Sequence, residues 1–317
     1  MNVSPRRRGS SRRLTSRLAP ALAITALTAA AVLSSSTVAH AEEAFSSSST
    51  ARQARSPSAL KHETGGGGWG NNEAQIYTSS LDNSRLDGNG HLLIEARRST
   101  NSNTWTSARL TTKALFSFTY GTIAARISLP QGQGLHPAFW LLGTDIDTVG
   151  YPQSGEIDIA ETINNSNWVH MGVHGPTGDG VAVGNGSLDM SLTSLLGIEV
   201  PSVLSGRYER NYDITGINPS AFHTYAVTKT PSEIRYSFDG DTVYTIARSS
   251  LAANEQWVFN KPIYALLNVA VGGVWPGPPA NGTTPPNPST MTVDWVRYTP
   301  PEPESFSRQR HPPRRDR

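Results

Sequence analysis

The chain contains no cysteine, which excludes disulfides, zinc–thiolate sites and thiol nucleophiles together. Charge is sparse. Asp, Glu, Lys and Arg make up 16% of the 317 residues, too few for a coiled coil or an acidic disordered chain. Hydrophobic residues are also few, at 37%, and no apolar run reaches the ~20 residues that a bilayer-spanning helix needs. No repeat of about 20–50 residues is visible, which argues against a propeller or solenoid. Turn and strand material is abundant: 28 Gly and 22 Pro accompany 10 Tyr and 7 Trp, a balance suited to an all-β domain with many turns. At about 100–200 residues per domain, the length allows one large domain or two small ones.

The two ends distort the charge. Residues 1–41 hold six Arg, no acid, an apolar run LAPALAITALTAAAVL from Leu18 to Leu33, and a closing Ala39-His40-Ala41. A basic start, a short apolar stretch and a small-residue end describe a secretory signal peptide. A membrane-spanning helix is the competing reading, for which the run is short. Arg12-Arg13 leaves a twin-arginine route open. The mature protein is therefore expected to be secreted and extracellular. Without those six Arg the net charge of +2 becomes −4. Residues 300–317 carry five Arg against three acids and read as a disordered basic tail. The 16 basic and 22 acidic residues in between leave about −6, so nucleic-acid binding loses its electrostatic support. No membrane partner is expected after signal removal. Residues 42–62 read as a Ser-rich linker or a degenerate first strand, and residues 63–299 as the main domain.

Strand patterns dominate that domain. His91–Arg98 and Gly121–Leu129 alternate apolar with polar; Phe222–Thr228, Pro262–Val271 and Met291–Thr299 add further strands, the last with Met291, Val293 and Trp295 on one face. Glu233–Phe238 and Thr242–Ala247 flank Asp239-Gly240-Asp241, a hairpin signal. Trp295 alternates with Met291 and Val293 and is expected in the core. Only Ser191–Glu199 shows weak helical periodicity, and Gly178–Tyr212 has no readable place. The expected fold is a curved two-sheet β-jelly-roll sandwich with a concave cleft.

The most informative segment is GEIDIAE, Gly155–Glu161. Side chains alternate along a strand, so Glu156 and Asp158 share one face while Ile157 and Ile159 enter the core. Glu161 lies five places from Glu156 and would point away in a regular strand. One inserted residue in a β-bulge, most easily at Ala160, returns it to the face of the other two acids. Three carboxyls so close cannot all ionise freely, and at least one pKa must rise. No Lys or Arg occurs between Arg126 and Arg207 to compensate them. A solvated acidic face and a calcium site built from the same oxygens compete with a pair of carboxyls working as acid and nucleophile.

GEIDIAE resembles the E-x-D-x-x-E signature of glycoside hydrolase family 16, in its bulged form. GGGGWGNNE (Gly65–Glu73), SARLTTK (Ser107–Lys113), GQGLHPAFWLLG (Gly132–Gly143), VHGP (Val173–Pro176), LLNVAVGGVWPGPP (Leu266–Pro279) and VDWVR (Val293–Arg297) resemble family segments in family order. The resemblance implies endo-hydrolysis of β-glucan with retention. Glu156 would be the nucleophile and Glu161 the acid and then base, while Asp158 would hydrogen-bond to Glu156 and tune it. The bulged form is typical of laminarinase-like β-1,3-glucanases, and also of agarases and carrageenases. The expected partner is thus a polysaccharide, taken by a monomer that needs no catalytic cofactor. The same chemistry on mixed-linkage glucan or a galactan, and a non-catalytic glucan-binding sandwich, are the alternatives.

Aromatic platforms suit the apolar faces of sugars, which makes Trp69 and Trp275 candidates for substrate contact; Trp140 is core or cleft floor, and the resemblance implies the cleft. Asn71, Asn72, Arg109 and His174 could hydrogen-bond hydroxyls. Asn71 and Asn72 could equally be turn residues, and Arg109 could simply pair with an acid. His136 stands where family members often have Trp, which would change one subsite, and Val274 replaces a common Asn. Asp294 matches a structural calcium ligand of the family. The Asp-Glu-Phe strand that usually opens the domain has no counterpart in Ala44–Leu60.

Overall fold

The computed structural model describes residues 59–100, 102, 104–177, 182–183, 208–279 and 286–301. The signal segment, the basic tail from residue 302 onwards and Ser191–Glu199 lie outside the described residues, as does most of Gly178–Tyr212. The strands are β1 (Lys61–Glu63), β2 (Gln75–Tyr77), β3 (Ser84–Leu86), β4 (Leu92–Arg98), β5 (Trp105–Ser107), β6 (Arg109–Thr111), β7 (Gly121–Ser128) and β8 (Leu135–Gly143). They continue as β9 (Glu156–Glu161), β10 (Trp168–Pro176), β11 (Ala182–Val183), β12 (Glu209–Asp213), β13 (His223–Lys229), β14 (Glu233–Phe238), β15 (Asp241–Ala247), β16 (Ile263–Val271) and β17 (Ser289–Thr299). Among the described residues, one short helix, α1 (Ile146–Val149), and a 3-10 turn at Arg248–Ser250 interrupt them. β1 begins two residues inside the segment read as linker.

Two sheets result, as the all-β reading expects. One runs β1-β6-β16-β8-β9-β10-β11, with β12 also on β10; the other runs β15-β14-β13-β7-β17-β4-β5-β2, with β3 on β4. The period-two pattern builds the core between them. Ile123, Ala125 and Ile127 of β7 and Ile234 and Tyr236 of β14 meet Phe139, Leu141, Ile157 and Met171 of the first sheet. Asp239 and Gly240 both adopt positive φ, 48° and 95°, the backbone that a two-residue hairpin turn demands. A buried hydrogen bond crosses the core: the Tyr236 hydroxyl donates to the Gly172 carbonyl at 2.5 Å. This ties β10 to the second sheet.

Trp295 departs from its expected place. The β17–β7 register shifts between Val293 and Trp295, so Val296 takes the next core position. Trp295 is only half-buried, and its ring lies 4.9 Å from the Arg297 guanidinium carbon. Simple alternation fails there because an irregularity adds one residue to the count.

Candidate active site

β9 carries the acids and is held in the middle of its sheet, between β8 and β10. Ile157, Ile159 and Ala160 are fully buried in the core. Burying each isoleucine contributes roughly 1.5–3 kcal/mol relative to exposure. A one-residue slip would expose them and drive carboxylates into the core, so the register is strongly fixed. Gly155 makes the entry possible: its φ is +73°, and a Cβ there would come within 2.9 Å of Val258 Cγ2.

The bulge is present and lies at Ile159–Ala160. Phe139 pairs with Ala160 but Trp140 pairs with Asp158, and on the other edge His170 pairs with Glu161 but Gly172 with Asp158. Two consecutive side chains, Ile159 and Ala160, therefore enter the core. Glu161 comes back to the face of Glu156 and Asp158, as the spacing requires.

The strand registers align cross-sheet rows on that face. One row runs Glu209, Gly172, Asp158, Trp140, Leu266. The next runs Asn211, His170, Glu161, Ala138, Asn268, Arg109, Glu63. A third brings His174, Glu156, Leu142 and Tyr264 side by side. Gly172 leaves room for Glu209, since a Cβ there would meet Glu209 Cγ at 2.7 Å.

Histidines sit among the acids. His174 Nε2 is 3.0 Å from Asp158 Oδ2 and 3.9 Å from Glu156 Oε1, while its Nδ1 is 3.5 Å from Glu209 Oε1. His136 Nε2 is 2.8 Å from Glu161 Oε1. Burial pushes the Glu156 carboxyl up, and the neighbouring Asp158 charge adds to it. Asp158 is likewise raised by burial and by the Glu161 charge, against the hydrogen bond from His174. Burial acts upward on Glu161 too, but the His136 hydrogen bond and the charges of His136, His170 and His174 outweigh it and leave that carboxyl low. For His174, burial opposes charge, yet Asp158, Glu156 and Glu209 prevail and push it up to about 10.

The other candidates divide. Trp140 lies beside the acids, its indole N–H donating to Asn268 Oδ1 at 2.8 Å. Trp275 is 38% exposed. Its ring packs 5.0 Å from His136, 5.2 Å from His170 and 5.9 Å from Trp168. Trp69, at φ 48°, donates its indole N–H to the Gly65 carbonyl. Arg109 lies between the Trp69 and Trp140 rings, 4.8 and 4.7 Å from their centroids, and its Nε donates to Glu63 Oε2 at 2.6 Å. Pairing with an acid is thus its observed state, and it stiffens both indoles. Asn71 clamps two loops, because the Val274 N–H donates to its carbonyl at 2.8 Å. Asn72 is an exposed turn residue at φ 56°.

Neither metal reading fits the donor sets. Glu156, Asp158 and His174 place ligand atoms within 4.8 Å of one another, but His174 already ion-pairs with Asp158. Asp294 is paired with Arg126, Nη1 to Oδ2 at 2.5 Å, so a cation already occupies the carboxylate read as a calcium ligand.

Sequence reasoning missed His170, Glu209, Glu73 and Asn268. His170, Gly172 and His174 alternate against buried Val169, Met171 and Val173, a signal that was readable. Glu209 follows a stretch with no pattern, so nothing pointed to it.

A family model, "Glycosyl hydrolases family 16", matches residues 71–297. The "Beta-glucanase" of Rhodothermus marinus is 35% identical over 258 residues, covering 76% of this chain and 79% of that protein. Among solved structures, the laminarinase catalytic domain from Thermotoga maritima MSB8 superposes with a TM-score of 0.63 at 32% identity, over 77% of this chain and 92% of that one. The endo-beta-1,3-glucanase from Pyrococcus furiosus gives 0.61 at 36% identity, over 76% and 88%.

Proposed function

The chain belongs to the family 16 glycosyl hydrolases, and on that premise we propose that it is a secreted, monomeric endo-hydrolase of laminarin-type β-1,3-glucan acting with retention. The observation that carries the reading is the bulge in β9, which turns Glu161 to the side of Glu156. The β-1,3-glucan substrate is supported by the relatives, which act on that class of polymer by name.

The chemistry uses carboxyl groups and water and calls for no cofactor. Glu156 attacks the anomeric carbon from one side while Glu161 gives a proton to the departing glycosidic oxygen. The C1–O bond to the leaving sugar breaks and a C1–O bond to Glu156 forms. Water then attacks C1 from the opposite side, Glu161 takes its proton, and Glu156 leaves. Two inversions give net retention. Asp158, held by His174, lies two residues along from Glu156 and keeps a hydrogen-bonding group at its side. Trp275 offers an open aromatic face to the sugar, with Trp69 and Trp140 braced through Arg109.

One preparation assayed on laminarin, barley mixed-linkage glucan and agarose tests the substrate. Reducing ends should appear fastest from laminarin and disappear in Glu156→Gln, with folding unchanged by circular dichroism. Equal or faster release from agarose rejects the substrate. Undiminished release by the variant rejects the mechanism and favours a site elsewhere.

A further inference from the structure

His136 touches Glu161 but takes no part in the double displacement itself. It projects from β8, one strand away from the acid, and its Nε2 lies 2.8 Å from Glu161 Oε1. Its other ring nitrogen, Nδ1, is buried without a hydrogen-bond partner among the described residues. The imidazole therefore has a single polar anchor, and that anchor is the proposed acid.

The surroundings of the pair are acidic on several sides. Glu73 faces His136 from the loop before β2, and Asp158 faces it from β9. His170 and His174 on β10 face Glu161. The Trp275 ring covers His136 edge-on, at 90° between planes. Glu73 itself is half-buried, with Gln75 Nε2 donating to it at 2.5 Å. A neutral side chain at position 136 would leave Glu161 beside Asp158 and Glu156 with one fewer positive partner.

We propose that His136 is a positioning residue that shares one proton with Glu161 across the Nε2···Oε1 hydrogen bond, so that the acid is resupplied by an imidazole rather than holding its proton alone. This rests on the assignment of Glu161 as the acid. When the proton sits on Glu161, the carboxylic acid donates to the neutral imidazole. When it sits on His136, the imidazolium donates to the carboxylate. In glycosyl transfer to Glu156 the pair gives that proton to the leaving oxygen. In hydrolysis it regains one from water. Burial lowers the affinity of His136 for a proton, but Glu161, Glu73 and Asp158 together outweigh this and raise it above an ordinary histidine. The pair accordingly keeps its proton to higher pH than a lone carboxyl would.

The test is the pH dependence of kcat/KM on laminarin for the wild-type protein, His136→Gln and His136→Trp. In the wild type, activity should persist above pH ~6.5, the ordinary histidine value. Both variants should lose activity at least one pH unit lower on the alkaline side. On an aryl β-laminaribioside with a dinitrophenolate leaving group, which departs without a proton, the alkaline limb of kcat/KM should coincide in wild type and variants, whatever their absolute rates. An alkaline limb on laminarin that stays in place in either folded variant overturns the proposal, even if the rate falls. Should Gln not fold, Trp decides. Should neither fold, the chemical shifts of the His136 ring in labelled wild-type protein decide: a midpoint at or below ~6.5 contradicts the shared proton. Glu161→Gln separates the two readings. Full laminarin activity in that variant removes Glu161 as the acid, whereas an inactive Glu161→Gln with unshifted His136 variants removes only the shared proton.

Discussion

Glu156 and Glu161 open and close the same six-residue strand, yet their surroundings drive their protons in opposite directions. At the first end, carboxyls crowd together. Glu156 meets Asp158, and the one histidine nearby, His174, lies closer to Asp158 (3.0 Å) than to Glu156 (3.9 Å). At the other end Glu161 is hydrogen-bonded to His136 at 2.8 Å and also feels the charges of His170 and His174. Burial acts alike on both, so the difference comes from partners. On the proposed reading, identical residue types on one strand would become a nucleophile and an acid through their neighbours across the sheet. The proton favours Glu156 and the charge favours Glu161, whereas the proposed roles need the reverse at the first chemical step.

The comparison can be broken most severely at Glu156. Glu156→Gln should lose roughly 10⁴-fold or more of kcat/KM on laminarin and on an activated aryl glycoside alike, because no covalent intermediate forms with either. Steady-state rates on both substrates check this, and a variant that recovers on the activated substrate contradicts it. Glu161→Gln should differ in kind. It should fall by about 10²–10⁴ on laminarin, the usual worth of a general acid, but by less than about tenfold in kcat/KM on the dinitrophenyl substrate. Equal losses on the two substrates would erase the distinction between the two ends.

A smaller effect is expected at the bulge that permits both residues to face one way. Ala160 is fully buried. Ala160→Leu overpacks a core that has no room for it and should cost about 1–3 kcal/mol in urea unfolding, with lower activity. An unchanged midpoint would mean that the bulge has slack. The smallest effect concerns His174, raised to about 10. A raised histidine stabilises fully below its unfolded value of ~6.5, and that stability is lost as pH climbs through the folded value. The wild type should therefore lose stability between about pH 6.5 and 10 more steeply than His174→Gln. Parallel melting-temperature profiles across that window would deny His174 its charge.

The fold was legible where periodicity was strong. Glu233–Phe238 coincides with β14, and the Asp-Gly hairpin adopts the backbone its residues prefer, because both depend on local preferences. The acid cluster was legible for the same reason: six residues contain their own alternation and its break. Trp295 was misplaced because a second irregularity, at Asp294, left no mark in composition. Arg109 was undecided in sequence because its partner, Glu63, is 46 residues away and meets it only through β1–β6 pairing. The His136–Glu161 contact was invisible for a like reason. It depends on which residue of β8 stands beside which residue of β9, and strand register across separate segments is set by the packed core rather than by either segment.

The most direct test of the two-ended strand is the stereochemistry of azide capture on a dinitrophenyl β-laminaribioside. With Glu156→Ala, azide enters the space left by the nucleophile and should give the α-glycosyl azide. With Glu161→Ala, the intermediate on Glu156 still forms, and azide arriving from the acid's side should give the β-glycosyl azide. Proton NMR of the anomeric position distinguishes the two. The reverse pairing of variant and anomer, or β-azide from both, would contradict the roles assigned to Glu156 and Glu161.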